Sequence, residues 1–219
     1  MSTIINFLNN DFKAFNINES VQNVKDFFKN VAFSHFPVLE EGIYIGSIAK
    51  EDVFYSDNKG TLNEFRYNFE RFFVRSSMIW LDVFEVFARN NANIIPVLNE
   101  NNNYIGYYEL DDMLSLLYET PFIKEDGAIV IVEIDNLKFS MSQLSQIVES
   151  NNGKILGMYI TENTSEKVKV TIKMSLGNIT AIIQTLRRYD YDIISEHQED
   201  TYLQNLKDRS DYLDKYLNM

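Results

Sequence analysis

The chain has 219 residues, 45% of them hydrophobic and 14% aromatic, enough for real cores and for one large or two to three small domains. A net charge of −12 argues against nucleic acid or an anionic membrane surface as partner, because both select basic patches. With no cysteine there are no disulfides, thiolate metal sites or cysteine nucleophiles, which fits a reducing, cytoplasmic setting.

The start, MSTIINFLNNDFKAF, lacks the basic beginning and unbroken apolar core of a signal peptide. No apolar run approaches the ~18 residues of a membrane span. In SVQNVKDFFKN the residues Val21, Val24, Phe27 and Phe28 form the stripe of an amphipathic helix, with Ser20 as its N-cap. PVLEEGIYIGSIAKEDVF, from Pro37 to Phe54, then reads as strand, turn, strand and helix. Pro37 suits a strand's first residue, and Gly46 inside the second strand marks a bulge or the close approach of a ligand or another backbone.

NEFRYNFERFFVRSS carries Phe65, Phe69, Phe72 and Phe73 at helical spacing and predicts a connecting helix. Its arginines, Arg66, Arg71 and Arg75, are the densest basic cluster in the chain. They are either solvated and paired with Glu64 and Glu70, or an anion site. MIWLDVFEVFARNN is a second amphipathic helix, and PVLNENNNYIGYYELDDML repeats the earlier stretch. Pro37 and Pro96 lie 59 residues apart, Gly46 and Gly106 lie 60, and in each copy an Asp follows the glycine by six positions. The chain is internally duplicated.

After the second copy the helix stops at Pro121, and PFIKEDG reads as a linker. AIVIVEID is a buried strand, and SMSQLSQIVESNNG is a helix. KILGMYITENTSEKVKVTIKM is a hairpin whose second arm alternates so that one face is packed and the other wet. GNITAIIQTLRRY is a helix and YDIISEH a last strand, which completes the βαββαβ order of the ferredoxin-like plan. The tail places Tyr202, Leu206, Arg209, Leu213 and Tyr216 near heptad spacing, as in an amphipathic helix. The expected organisation is repeat one over 1–58, connecting helix and repeat two over 59–120, the βαββαβ domain over 127–198 and the final helix over 199–219. The fold class is mixed α+β.

The doubled pattern, apolar-Pro-Val-apolar, turn, apolar-Gly, then Asp six later, resembles tandem CBS domains, and the βαββαβ unit is similar to an ACT domain. The combination resembles acetoin-utilisation regulatory proteins and covers Phe12 to His197. The resemblance implies a non-catalytic sensor that binds an adenosine-containing ligand (AMP, ATP or S-adenosylmethionine) in clefts between the copies, associates as a homodimer and acts on a partner protein. With no cysteine and only His35 and His197, neither at ligand spacing from a partner, no metal is expected. By the same resemblance Asp52 and Asp112 would receive ribose hydroxyls, Phe36 and Ile95 would line an adenine pocket, and Ser76 and Ser77 would offer polar contacts.

At the two positions where the family carries a phosphate-facing hydroxyl, this chain has Ala49 and Glu109. Losing one neutral hydrogen bond costs about 0.5 to 1.5 kcal/mol, whereas a carboxylate ~4 Å from a phosphate costs up to roughly 4 kcal/mol before screening. An adenine nucleotide is therefore expected in the Asp52 cleft, and the Glu109 cleft is expected to be empty or to take a cationic ligand such as S-adenosylmethionine. Without a ligand, Asp52 and Asp112, three residues into their helices, would instead answer the free N–H groups there. Phe36 and Ile95 would then be core, and Ser76 and Ser77 would merely end the connecting helix. In the ACT-like loop EIDNLKFSMSQL, Asp135 and Asn136 stand where an amino acid would be met, but Ser142 replaces the expected glycine and favours a packing or dimerising role.

Catalytic inventories are thin. His35 and His197 belong to different predicted domains, and no nucleophile elbow, P-loop or dinucleotide fingerprint occurs. Three readings follow: a ligand-responsive regulator, a ligand-free interaction or dimerisation scaffold, and, far behind, a carboxylate-dependent hydrolase. Each half of about 60 residues is marginal alone, so the copies should cover each other.

Overall fold

The computed structural model describes residues 4–56 and 59–195. The tail expected as a helix over 199–219, and His197, lie outside them. The chain divides into two compact units, Met1–Leu117 and Tyr118–Met219. Among the described residues no helix is long and apolar enough to cross a membrane.

In the first unit, a 3-10 turn at Ile4–Phe7 precedes β1 (Phe15–Asn16), α1 (Val21–Asn30), β2 (His35–Glu40), β3 (Ile43–Ala49) and α2 (Lys50–Phe54). The second copy repeats this with β4 (Val74–Arg75), α3 (Trp80–Asn90), β5 (Ile94–Leu98), β6 (Tyr104–Glu109) and α4 (Leu110–Tyr118). The sheets are β1-β2-β3 and β4-β5-β6, each with its first pair parallel and its second antiparallel. Ser20 caps α1 by accepting from the Asn23 N–H at 3.2 Å, and Val21, Val24 and Phe28 bury the predicted stripe.

The glycines mark both a bulge and a close approach. Gly46 pairs with Val38 and Gly106 with Val97, and the register shifts one residue later in both hairpins. Both glycines have φ +147°. What approaches them is the chain's own backbone. The Ser47 and Glu70 backbones exchange N–H···O bonds of 2.8 and 2.9 Å, and Tyr107 and Asn9 do the same at 3.0 and 2.9 Å. A Cβ on Gly46 would stand 2.8 Å from the Phe69 Cβ, and one on Gly106 would stand 2.6 Å from the Asn9 carbonyl.

These bridges also explain the prolines. Each is the third residue of its strand rather than the first, opposite Ser47 or Tyr107. Because Ser47 and Tyr107 spend both backbone groups on the far side, the pairs with Pro37 and Pro96 are of the non-hydrogen-bonded kind and no donor is missed. The proline nitrogens face the side where β1 and β4 pair only with the two residues beyond.

The connecting helix is absent. Only Leu62–Phe65 forms a 3-10 turn, Glu70 is bridged to Ser47, and residues 74–75 are a strand. Phe72 and Val74 are buried while Phe73 is 39% exposed, an alternation of period two that the sheet imposes over the helical spacing of the phenylalanines. The copies interlock: Ile94 and Tyr107 from the second join the core of the first, with the Tyr107 ring edge-on to Phe33 and Phe36 at 5.8 and 5.7 Å. Ser34 and Asn93, equivalent positions, bond each other from N–H to side-chain oxygen in both directions, at 2.8 and 3.1 Å.

The second unit has α5 (Pro121–Lys124), β7 (Ala128–Asp135), α6 (Met141–Ser150), β8 (Ile155–Asn163), β9 (Lys167–Met174), α7 (Ile179–Arg188) and β10 (Asp192–Ile193). Its sheet order is β10-β7-β9-β8, the antiparallel ferredoxin-like arrangement. Leu144, Ile147 and Val148 of α6 and Ile182 and Leu186 of α7 pack on Val130, Val132, Val170 and Ile172. The other face is not uniformly wet, and the linker is not free. Phe122 of α5 lies against Gly157 and, edge-on at 5.5 Å, against Tyr159. Lys173 is buried beneath it, donating to the Ile123 carbonyl at 3.3 Å.

Gly106→Ala would place a side chain against backbone at a φ that L residues avoid, and is expected to lower the stability of the first unit by about 1 to 3 kcal/mol, read from urea midpoints. A second test concerns Tyr108, fully buried with its hydroxyl unpartnered among the described residues. Tyr108→Phe should raise stability by roughly 1 kcal/mol, because an unsatisfied buried hydroxyl is removed. Burial pushes the Tyr108 phenol up to about 12. The folded state therefore holds its proton more tightly than the unfolded one. That contribution is full below the unfolded value of about 10 and is lost as pH rises toward 12, so the variant should show a shallower alkaline decline in thermal melts.

Candidate functional site

Each antiparallel hairpin of the first unit delivers its last strand residue to the start of a helix. Ala49 ends β3 and stands at the N-cap of α2, with no side chain to cap it. Asp52 is the third residue of α2, and Asp112 the third of α4. Among the described residues neither carboxylate accepts a hydrogen bond, so neither answers the free N–H groups of its helix.

Asp52 opens onto a cavity of about 360 Å³ that it shares with Ala49, Ser34, His35, Glu70 and Asn90. From the sequence Glu70 is expected only as a partner of the neighbouring arginines, not at this site. It arrives because its backbone is bridged to Ser47, which places its carboxylate 3.3 Å from the His35 Nε2. The His35 Nδ1 faces the Ser34 hydroxyl at 2.9 Å. The cavity therefore holds the carboxylates of Glu51, Asp52 and Glu70, with Lys50 and His35 as the cationic or ionisable nitrogen groups.

The second cleft differs in chemistry. Its equivalent of Glu70 is Asn9, which donates through Nδ2 to the Glu109 carboxylate at 2.8 Å. Burial, and then the neighbouring Asp112, Asp111 and Asp11, push the Glu109 carboxyl above its ordinary value, against the smaller lowering by Asn9. Where the first copy has Ser47, the second has the buried ring of Tyr107, and where the first has His35, the second has Ile94. Each half thus keeps one acidic residue at the contact between lead-in segment and helix start, Glu70 in the first and Glu109 in the second.

Several residues expected at the site stand elsewhere. Phe36 and Ile95 are completely buried, each in the core of its own copy, and Phe36 is stacked on Phe33 at 5.7 Å. Neither lines the cavity, because β2 and β5 turn these positions into the core. Ser76 and Ser77 follow β4. The Ser76 N–H bonds the Leu98 carbonyl at 3.1 Å, and the Ser77 hydroxyl donates to Glu100 at 2.7 Å, so both serve the far turn and not the Asp52 cavity. In the second unit Asp135 accepts from the Leu137 N–H at 2.9 Å, and the Asn136 amide donates to the Thr164 carbonyl at 2.6 Å. Both side chains are committed to their own loop and its neighbouring hairpin. Ser142, by its hydroxyl contact with Ser140 at 2.9 Å, belongs to the start of α6.

The arginines pair differently from the expected set. Arg66 forms a two-pronged pair with Glu40 at 2.8 and 2.7 Å, and Arg75 donates to the Asn99 carbonyl and the Asn102 side chain at 2.8 and 2.6 Å. Among the described residues no group of three or more His, Cys, Asp and Glu could hold a metal ion.

Residues 70–119 match the family model described as the CBS domain. A comparison with curated proteins finds no match. Among solved structures, the chain is similar to a CBS domain pair/ACT domain protein from Thermotoga maritima, at 20% identity, covering 53% of this chain and 97% of that one with a TM-score of 0.47. It is also similar to the CBS domains of a transcriptional regulator from Streptococcus pneumoniae, at 17% identity, covering 52% and 98% with a TM-score of 0.46. A third similarity is to the cytosolic domain of the Mg2+ channel MgtE in complex with ATP, at 20% identity, 50% and 46% coverage and a TM-score of 0.44. The first copy repeats the elements of the matched segment one for one. The fold is a mixed α+β pair of the CBS type, with a ferredoxin-like unit after it in the chain.

Proposed function

We propose that this chain is a non-catalytic regulatory protein whose first cleft takes an adenosine-containing ligand, with Asp52 receiving the ribose hydroxyls. The observation that carries this reading is the unbonded Asp52 carboxylate in a cavity of ligand size beside His35 and Ser34. The electrostatics select among adenosyl ligands. Three carboxylates line the cavity, one of them Glu70. The adenine nucleotide expected in the Asp52 cleft, where Ala49 and not a carboxylate stands at the hydroxyl position, would meet Glu70 there, so S-adenosylmethionine, with its sulfonium, suits this cleft better than AMP or ATP. In the second cleft Asn9 and the Tyr107 ring occupy the ground around Glu109, which is read as a structural position. Association as a homodimer would cover the apolar residues that α3 and its entry leave out, Ile79 at 63% and Leu81 at 58% exposure.

A ligand-free scaffold is the second reading. It is favoured by the same bridges at Gly46 and Gly106, which fill the close approach with the chain's own backbone.

Thermal melts of the full chain with S-adenosylmethionine, AMP and ATP separate the two. S-adenosylmethionine should raise the midpoint, by the equivalent of about 2.7 kcal/mol at a hundredfold excess over Kd. Asp52→Ala should abolish the shift, and Glu70→Gln should improve AMP affinity by about tenfold, the worth of one carboxylate moderated by solvent. No shift with any of the three, or an unchanged shift in Asp52→Ala, leaves the scaffold.

The raised carboxyl of Glu109 gives an independent check. A group whose folded value is raised contributes its full stability below its ordinary value and loses it as pH climbs through the folded value. Glu109→Gln keeps the acceptor for Asn9 and removes the ionisation. It is expected to melt higher than the wild type at about pH 7 and at the same temperature at about pH 4.

A further inference from the structure

The basic cluster between the copies belongs to a different cavity from the one just described. Behind the β2–β3 hairpin lies a space of about 340 Å³, walled by Ile43, Ile45, Phe69 and Phe73 and closed at one side by Leu98. Arg66, Arg71 and the Asn102 side chain give it its polar groups. It is lined by none of the residues of the Asp52 cavity.

The charges in it are not equivalent. Arg66 is neutralised by its paired contact with Glu40. Arg75, which does not line the space, holds two of its walls: it donates to the Asn102 side chain and lies 5.8 Å from the Phe73 ring centre. Arg71 has no hydrogen bond or ion pair among the described residues, in a chain with 32 acidic side chains against 20 basic ones. The Arg71 side chain is exposed at the edge of this apolar space, and an unpaired guanidinium so placed offers a carboxylate, sulfonate or phosphate a two-pronged set of charged donors.

The duplication supplies an internal comparison. Asn9 and Glu70 make matching backbone bridges, to Tyr107 and Ser47. By that correspondence Arg71 stands where the first lead-in segment has Asn10, Arg66 where it has Ile5, and Phe69 where it has Leu8. Asn10 lies over Gly106, its Oδ1 within 2.6 Å of the place a Cβ would take. The fold therefore closes at this position with a short neutral side chain, and an arginine there is not a requirement of the framework.

We infer that the space beside Arg71 is a second ligand site, distinct from the Asp52 cleft, for an organic anion with an apolar, planar or branched body. The anionic head meets the Arg71 guanidinium, with the Asn102 amide as a neighbouring donor. The body lies between the Phe69 and Phe73 rings and the Ile43 and Ile45 side chains. A bare inorganic anion would leave these walls wet, so the hydrophobic body is part of the specificity.

The test uses the full chain with two probes of similar shape, anilinonaphthalene sulfonate, which is anionic, and phenylnaphthylamine, which is neutral. The sulfonate should bind with enhanced fluorescence and perturb the methyl resonances of Ile43 and Ile45. Arg71→Ala should weaken the sulfonate by about tenfold, within the range of a charge-assisted hydrogen bond, and leave the neutral probe and the melting temperature unchanged. Arg71→Lys should fall between. Equal sulfonate affinity in wild type and Arg71→Ala overturns the site, as does binding that leaves the Ile43 and Ile45 methyls unmoved. Inorganic phosphate competing as well as the sulfonate would overturn the organic-anion specificity. A failure of the adenosyl ligands to bind at the Asp52 cleft bears on none of these outcomes.

Discussion

The first unit depends on one contact made twice: a lead-in segment laid along the second strand of a hairpin at a glycine. Backbone bonds from Ser47 to Glu70 and from Tyr107 to Asn9 take up donors and acceptors that would otherwise line an open sheet edge. Because that edge is satisfied, the opposing proline needs no ladder donor. Because the glycine has no Cβ, the segment can lie flush. The side chains next to the bridge then face the helix start, which is how Glu70 and Asn9 come to face Ala49 and Glu109.

The two copies share a backbone plan and diverge where they meet. Tyr107 fills the aromatic cluster of the first copy, made by Phe15, Phe27, Phe28, Phe33 and Phe36, whose contacting rings have centres 4.5 to 6.2 Å apart. Its counterpart Ser47 leaves room and a hydroxyl, which contacts the Tyr44 hydroxyl at 3.0 Å. One crossing is thus stabilised by a buried ring, worth about 3 to 5 kcal/mol if truncated, and the other by polar contacts around His35 and Glu70. A duplicated frame with one hydrophobic and one polar junction can keep its fold from the first and present chemistry at the second.

In the second unit the α5 segment is part of the packing. Phe122 occupies the space over Gly157, and the buried amine of Lys173 lies 6.0 Å from its ring centre. The sheet face carrying Lys167 and Lys169 stays wetter, where both lysines meet Glu133. That division follows from residue size: a glycine opposite a phenylalanine admits the ring, while long charged side chains keep their heads in water.

Much of this was legible in the residues themselves. Spacing alone revealed the duplication, the Ser20 cap, the glycine bulges and the βαββαβ order, because these depend on local backbone chemistry and on periodicity. The phenylalanines from Phe65 to Phe73 misled, since helical spacing within an aromatic-rich stretch carries no information about a strand edge 23 residues upstream that captures Glu70. For the same reason Glu70 was invisible as a site residue: its partner His35 is 35 positions away. The sequence pattern puts Phe36 and Ile95 in strands, but whether a strand residue faces core or cleft is decided by what packs on the sheet. Sequence determined which segments repeat and which turns they make; only the tertiary structure decided which side chains meet, because those meetings depend on contacts between segments far apart in the chain.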